Sequence, residues 1–480
     1  KVSGNNIKNI LANFNLEDFA KFESFELNSK LFVYDNIIYI KDFSIKNEFQ
    51  NLRGDIEFPI FGDKNYFAGR LWIDNVDVKM AENGDASTMK EKLIWLGGIK
   101  NNVFLSLKID NLSVGNVSGA TFDGDARYGY NLLDFYNIRE LNFKNLKKLA
   151  GKFAVGIRLS KPFIEASLGA ESANVEIDLL DYIININKYK NLILDENLEE
   201  SPNFWINRFF NLPNWKDISG KIDFSMNKLT INSKELANIS LASDVDDGVF
   251  NIKNLSFFGL GGKTEISGKA DLREIKSIEL RLTDTIYNIK DVLQMALNSD
   301  ADVVNGAVGM SFIFRAQGYN KNVFLSSMAL ESKFTGQNLY IKALGLSDLR
   351  NRLNSSFENS DILNGLAAED VILNNSGTTF KTFSGNLLIL KNIIALNSEA
   401  FGDGYSNKLA IKIDNSKNKT VFNFNNISSL VVKVGKEAVP LYLGINFLEN
   451  LNGRANMTID AAQINQYIDL LKEEFKKQIP

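Results

Sequence analysis

The stretch that decides the fold runs Val249-Phe250-Asn251-Ile252-Lys253-Asn254-Leu255-Ser256-Phe257-Phe258-Gly259 and resumes at Ile266-Ser267-Gly268-Lys269-Ala270-Asp271-Leu272. Apolar and polar residues alternate, and the glycine-rich piece Gly259-Leu260-Gly261-Gly262 separates the two halves. A period of two places apolar side chains on one face of a strand and polar ones on the other. The phrase recurs. Phe383-Ser384-Gly385-Asn386-Leu387-Leu388-Ile389-Leu390-Lys391-Asn392 is followed by Ala395-Leu396-Asn397-Ser398-Glu399-Ala400-Phe401-Gly402. Near the start, Leu31-Phe32-Val33-Tyr34-Asp35-Asn36-Ile37-Ile38-Tyr39-Ile40-Lys41-Asp42-Phe43 precedes Leu52-Arg53-Gly54-Asp55-Ile56-Glu57-Phe58. Weakly similar strand pairs in series point to one extended sheet rather than a compact enzyme.

The same alternation fills the intervals. It is clear in Leu105/Leu107/Ile109, Phe153/Val155/Ile157/Leu159, Ile222/Phe224/Met226, Ile278/Leu280/Leu282, Met310/Phe312/Phe314/Ala316, Leu409/Ile411/Ile413 and Ala455/Met457/Ile459. One apolar and one wet face is the antiparallel signature. Helical spacing is confined to short sets: Ile7/Ile10/Leu11/Phe14, Leu179/Tyr182/Ile183/Ile186, Ile289/Val292/Leu293/Ala296/Leu297, Leu346/Leu349/Leu353 and Ile464/Tyr467/Ile468/Leu471. The segment 178–218 breaks the strand rhythm, carries Pro202 and Pro213, and holds the acidic run Asp195-Glu196-Asn197-Leu198-Glu199-Glu200. The expected organisation is a β-repeat region at 1–177 with a short leading helix, a connector at 178–218, a second β-repeat region at 219–460 and an amphipathic helix at 461–480.

Composition removes several classes. The chain has 480 residues, 35 Phe, 6 Pro, and a 45% apolar fraction that excludes wholesale disorder. With so little proline, turns rest on Gly, Asn and Asp, which tolerate positive φ. The 54 basic and 58 acidic residues give a net charge of −4, so no concentrated basic surface exists for nucleic acid. There is no Cys and no His, which excludes Ser-His-Asp and Cys-His nucleophile sites and zinc sites of the usual ligands. No metal, cofactor or catalytic residue is expected. Absence of Cys also suits an envelope protein that avoids stray oxidation. No stretch approaches the ~20 apolar residues that span a bilayer. The chain begins at Lys1 rather than Met and reads as a fragment or processed form, with a signal peptide or membrane anchor expected to precede it.

Two pieces look like chemistry. Gly259-Leu260-Gly261-Gly262-Lys263-Thr264 invites a phosphate-loop reading, but Phe257 stands where that loop needs glycine, and a strand rather than a helix follows. A glycine-rich hairpin explains it better. Asp244-Val245-Asp246-Asp247-Gly248 has the opening of a calcium loop, yet its spacing is one residue short and the downstream bidentate Glu is missing. A tight turn at Asp247-Gly248 is the better reading. The carboxylates give no specific glycosidase signal. The apolar alternation has an ordinary explanation as a β-sandwich interior. A long one-faced sheet that closes incompletely instead leaves an apolar groove, and large exposed apolar patches go with a ligand or partner.

Between about Ile218 and Asp414 the residues resemble the AsmA-like superfamily of bacterial envelope proteins. The resemblance rests on Gly220-Lys221-Ile222-Asp223-Phe224 with Leu229-Thr230-Ile231 and the Gly259 to Leu272 stretch. It continues through Asp291-Val292-Leu293 and Asn305-Gly306-Ala307-Val308-Gly309-Met310-Ser311-Phe312 to Gly318. Gly336-Gln337-Asn338-Leu339-Tyr340-Ile341, Gly345-Leu346-Ser347-Asp348-Leu349 and Gly377-Thr378-Thr379-Phe380 complete it. The first 175 residues share only the strand rhythm. The family's N-terminal membrane helix is missing, and the chain closes with a helical Leu471-Lys472-Glu473-Glu474-Phe475 in place of a trailing strand.

The expected fold is therefore mainly β: an elongated, curved antiparallel sheet, groove-like or taco-like, built of repeated strand units with a few short amphipathic helices. The resemblance implies a periplasmic, non-enzymatic protein tethered to the inner membrane, holding phospholipid acyl chains between inner and outer membranes, with envelope proteins as further partners. The candidate lipid-binding residues are Ile222, Phe224, Met226, Phe250, Ile252, Met310, Phe312 and Phe314. A scaffold for outer-membrane proteins, using sheet edges for strand addition, is the alternative. A surface adhesin or carbohydrate-binding β-repeat protein is a further one and would expose aromatic platforms on the wet face.

Overall fold

A computed structural model describes residues 2–4, 25–46, 51–60, 66–78, 102–114, 117–175, 212, 214–297, 304–342, 344–356, 366, 371, 377–390, 393–414, 421–434, 437–449 and 455–478. The helical sets at 7–14 and 179–186 and the acidic run 195–200 lie outside these residues. Strands dominate, as the alternation predicts. The first five are β1 (Val2–Gly4), β2 (Phe25–Tyr34), β3 (Ile37–Lys46), β4 (Asn51–Pro59) and β5 (Tyr66–Val78). The next five are β6 (Asn102–Val114), β7 (Val117–Gly129), β8 (Leu132–Phe143), β9 (Leu146–Arg158) and β10 (Lys161–Val175). Then come β11 (Ser219–Ile231), β12 (Lys234–Asp246), β13 (Val249–Gly259), β14 (Gly262–Asp271), β15 (Lys276–Asn288), β16 (Val304–Gly318) and β17 (Ala329–Ile341). The last six are β18 (Thr378–Leu390), β19 (Ile393–Phe401), β20 (Tyr405–Asp414), β21 (Val421–Val434), β22 (Glu437–Glu449) and β23 (Ala455–Asp460).

All 23 described strands belong to one sheet, and each pairs with the next along the chain. The sheet is long, curved and unclosed: among the described residues β1 and β23 do not meet. Pairing is antiparallel except at two steps. β5 runs parallel to β6 and β10 runs parallel to β11, so the sheet is continuous on both sides of the 178–218 segment. At ~4.8 Å per strand the contour is on the order of 105 Å.

Tight turns keep the strands in series. Asp35-Asn36, Asn232-Ser233, Asp247-Gly248 and Leu260-Gly261 all have two central residues at positive φ, which matches the twist of a two-residue hairpin. The two pieces that looked like phosphate and calcium loops are therefore hairpin turns. Leu159 corrects the alternation read for Phe153/Val155/Ile157/Leu159. It occupies a turn with Ser160, both at positive φ, and is 95% exposed.

Four helices are described: α1 (Ile289–Leu297), α2 (Lys321–Ser327), α3 (Leu346–Ser355) and α4 (Ala462–Gln478). The sequence predicted three of them. It missed α2, a seven-residue helix whose signal is Asn320, the side chain of which accepts the Val323 N–H at 2.9 Å. None of the described helices is long and apolar enough to cross a membrane.

The largest buried core lies where α3 and α4 cover one margin of β15–β22. Leu346, Leu349 and Leu353 of α3 are fully buried, as are Ile464 and Ile468 of α4. They pack with Leu282, Val308, Phe380, Phe383, Leu430 and Leu443 of the sheet. The Thr378 hydroxyl accepts the Leu346 N–H at 2.9 Å at the start of α3. The Arg350 guanidinium donates to the Val431 carbonyl at 3.1 Å, and the Lys433 N–H donates to Asn354 at 3.1 Å.

A buried polar triad sits beneath this margin. The Asn407 amide donates to Asn426 Oδ1 at 2.6 Å and to Ser428 Oγ at 2.8 Å, while Asn426 donates back at 3.2 Å. Asn407 is directly opposite Ser428, so a slip of β20 against β21 breaks the set. Removing one member leaves buried partners unsatisfied. Asn407→Ala is expected to lower unfolding stability by about 1–3 kcal/mol in denaturant titration; no loss would show that the triad does not hold register.

Candidate functional site

The eight candidate residues lie on one face of the sheet, in four adjacent cross-strand rows. Strand β11 defines them, with Gly220, Ile222, Phe224 and Met226 facing one way in succession. Ile222 shares its row with Ser243, Ile252, Gly268, Leu280 and Phe314. Phe250 lies one row outward, opposite Val245 and Ala270. Met310 lies on the helix side of Phe312, opposite Thr285 and Phe334.

The row through Phe224 and Phe312 is the most continuous. From β11 it passes Phe224, Leu241, Leu255, Ile266, Leu282 and Phe312. It then crosses Ser332, Leu387, Leu396, Ile411 and Phe424. In the other direction it runs through Leu168, Gly151, Ile138, Gly124 and Leu107 to Leu71, Gly54 and Phe43. Every position from β3 to β21 is thus an apolar side chain or glycine, with Ser332 the one exception. Gly151 is needed where it stands: its φ is 131°, and a Cβ there would lie 2.1 Å from the Ser167 carbonyl oxygen. The apolar face also survives both parallel steps. Ile73 of β5 packs against the Ile109, Phe122 and Ile138 cluster across the first step, and Ile222 packs with Ile164 across the second.

Burial divides the candidates. Met226 is sealed in a small core with Ala170, Leu236 and Ile239. Met310 and Phe312 lean against the helix-covered margin, while Ile222 and Phe250 pack on a core built around Trp215 and Ile218. The Trp215 and Phe250 rings are 5.1 Å apart. Ile252 and Phe314 are half-buried, as are Leu280, Leu330, Ile389, Ile394 and Ile413 in the same row. These side chains are walled by neighbours yet not sealed over. The row through Ile252 and Phe314 therefore forms a shallow apolar trough, bordered by the more deeply buried row through Leu282 and Phe312, with α1, α3 and α4 beyond it.

The opposite margin is pinned electrostatically. Arg273 makes paired bonds to Asp271 at 2.6 and 2.9 Å and reaches Asp247 at 3.2 Å, tying two turns together. Its guanidinium holds the Asp271 carboxyl below the usual carboxylate range. Nearby Lys276 is buried and donates to the Leu212 carbonyl at 3.1 Å; burial pushes its ammonium pKa down.

The polar face offers a different feature, an open cleft of about 520 Å³ over β3–β8. Several of its charges are already engaged. Arg139 pairs with Asp123 at 2.6 Å and with Asp125 at 2.5 Å. Trp72 is flanked by Arg53 at 3.3 Å and Lys108 at 5.1 Å, so it is not an open aromatic platform. Apolar continuity favours the trough over this cleft. Among the described residues, no group of three acidic side chains could hold a metal ion.

Sequence reasoning identified the face but missed most of its length. Leu168, Leu241, Leu387, Leu396, Ile411 and Phe424 belong to the central row without being among the candidate lipid-binding residues. Bulges account for the part on β12 and β13. Ile252 and Leu255 both face the trough although three residues apart, because the ladder skips between them. A parity count along the sequence loses the face at each such skip.

Comparison with family models, curated proteins and solved structures finds no match to this chain.

Open and covered parts of the face should respond differently to truncation. Leu349→Ala, beneath a helix and fully buried, is expected to cost about 2–5 kcal/mol. Phe314→Ala, half-buried in the trough, is expected to cost less than about 2 kcal/mol, because part of its surface stays in water in either state. Equal, large losses in denaturant titration would mean that the trough is a closed core.

Proposed function

We propose that this chain is a non-enzymatic carrier that holds the acyl chains of phospholipids along the apolar face of its sheet. In this reading it is the periplasmic part of an AsmA-like envelope protein acting between inner and outer membranes. The observation that supports it is the row from Phe43 to Phe424, unbroken by charge across nineteen consecutive strands. Exposure of an acyl chain to water costs about 0.8 kcal/mol per CH₂, so moving one over a long distance requires apolar contact at every step. A charged residue within the track would be a barrier. The half-burial of Ile252, Leu280, Phe314, Leu330 and Ile413 leaves room for contact from above. The polar face, lined by ion pairs such as Lys408–Glu399 and Arg281–Glu279, keeps the opposite side in water.

Photo-crosslinking residues at positions 250, 312 and 314 are expected to capture phospholipid in cells, and native mass spectrometry of the purified chain to show retained lipid. Phe312→Asp should abolish retention while the sheet still folds. Recovery of no lipid from any of the three positions would contradict the proposal. Capture of a protein client without lipid would favour the assembly-scaffold reading instead.

A further inference from the structure

The end of the sheet opposite the helices carries an apolar surface that the trough does not account for. Four consecutive residues of β2 are exposed: Leu31 by 63%, Phe32 by 53%, Val33 by 58% and Tyr34 by 76%. Alternation divides them between faces. Leu31 and Val33 stand opposite Ile40 and Ile38 on the trough side, and Phe32 and Tyr34 stand opposite Tyr39 and Ile37 on the other. β1 pairs with Phe25–Leu27 alone, so among the described residues no strand flanks the outer edge of β2 at Leu31–Tyr34.

This geometry selects the occupant. A protein docking on one face would cover two of the four side chains and leave the other two in water. A strand added at the edge would satisfy backbone groups but cover neither face. A lipid bilayer surrounds whatever enters it, and so covers both faces and the edge region together. The side chains have the right character, with aliphatic Leu31 and Val33 beside the aromatic Phe32, Tyr34 and Tyr39, the type enriched at headgroup depth. The neighbouring charges cancel. Lys30 pairs with Asp42 at 2.7 Å, and Lys41, over the Tyr39 ring at 5.7 Å, is balanced by Asp35 in the turn.

We propose that the β2–β3 hairpin docks peripherally on a lipid bilayer, burying Leu31–Tyr34 in its interfacial layer. The row that starts at Leu31 continues through Ile40, Ile56, Gly69 and Leu105, so this contact places the beginning of the apolar face against the membrane. The physiological use of the contact rests on the lipid-carrier reading, but its existence does not. Because the local charge is balanced, attachment is apolar rather than electrostatic.

The test is flotation of the full chain with phosphatidylcholine vesicles. Wild type is expected to float with them, with less than about a twofold change between roughly 50 and 500 mM salt. Phe32→Ser/Tyr34→Ser, and separately Leu31→Ser/Val33→Ser, are expected to weaken partitioning by about tenfold or more. All four positions are exposed, so unchanged thermal unfolding is expected and separates lost docking from lost folding. Failure of wild type to float, binding only to anionic vesicles, or variants that float as well as wild type would overturn the proposal. So would vesicle-independent self-association that these substitutions abolish, which would identify a second copy at the edge. Phe312→Asp should float normally while losing retained lipid; wild type that floats but retains no lipid contradicts the carrier reading alone, and wild type that retains lipid but does not float contradicts this proposal alone.

Discussion

Cross-strand register is the constraint on which this structure depends. A sheet of 23 strands keeps one apolar face only if each strand meets its neighbour with the same parity, since a one-residue slip turns every side chain over. Two-residue turns with positive φ fix that parity locally at Asp35-Asn36, Asn232-Ser233 and Asp247-Gly248. Where a bulge intervenes, as between Ile252 and Leu255 or between Ile40 and Phe43, the next apolar residue follows at three instead of two, and the face is recovered. The bulges are thus part of how the face stays continuous.

Incomplete closure results from the same arrangement. Strands added in series without returning to the first leave a curved sheet whose apolar side has to be covered by something else. Over β15–β22 the chain supplies part of the cover itself through α1, α3 and α4, giving the most extensive sealed core among the described residues. The row through Ile252 and Phe314 is left partly open. Polar groups on that face are few and largely paired among themselves, as in Thr264 with Tyr287 at 2.9 Å and in the Asn407–Asn426–Ser428 triad. Ser332 is the exception: its hydroxyl is buried and without a hydrogen-bond partner between Phe312 and Leu387.

Much of this is legible in the sequence, for physical reasons. Alternation in Ile222/Phe224/Met226 and Met310/Phe312/Phe314 identifies both the strands and the face, because neither β11 nor β16 takes an extra residue there; the bulge opposite Phe312 and Met310 lies in β15. Leu260-Gly261 and Asp247-Gly248 are recognisable as turns because strand alternation, not a helix, resumes directly after each of them. The helix α2 escapes detection because its seven residues make only about two turns, too few for a 3.6 period to emerge. The two parallel steps are not legible either, since alternation is the same in a strand of either direction. Burial differences within the candidate set, with Met226 sealed and Phe314 half-open, depend on which neighbours lie across the ladder and on where helices land.

The central claim is that the row through Ile252, Leu280, Phe314, Leu330 and Ile413 is open to a ligand. The chain has no cysteine, so single cysteine substitutions at Leu280, Leu330, Ile394 and Ile413 can be compared without background. Their labelling by a maleimide should be intermediate between that of cysteine at fully buried Leu353 and at exposed Leu159, and should fall when phospholipid is added. Reactivity as low as at Leu353, unchanged by lipid, would show that the apolar face is a closed interior and contradict the account.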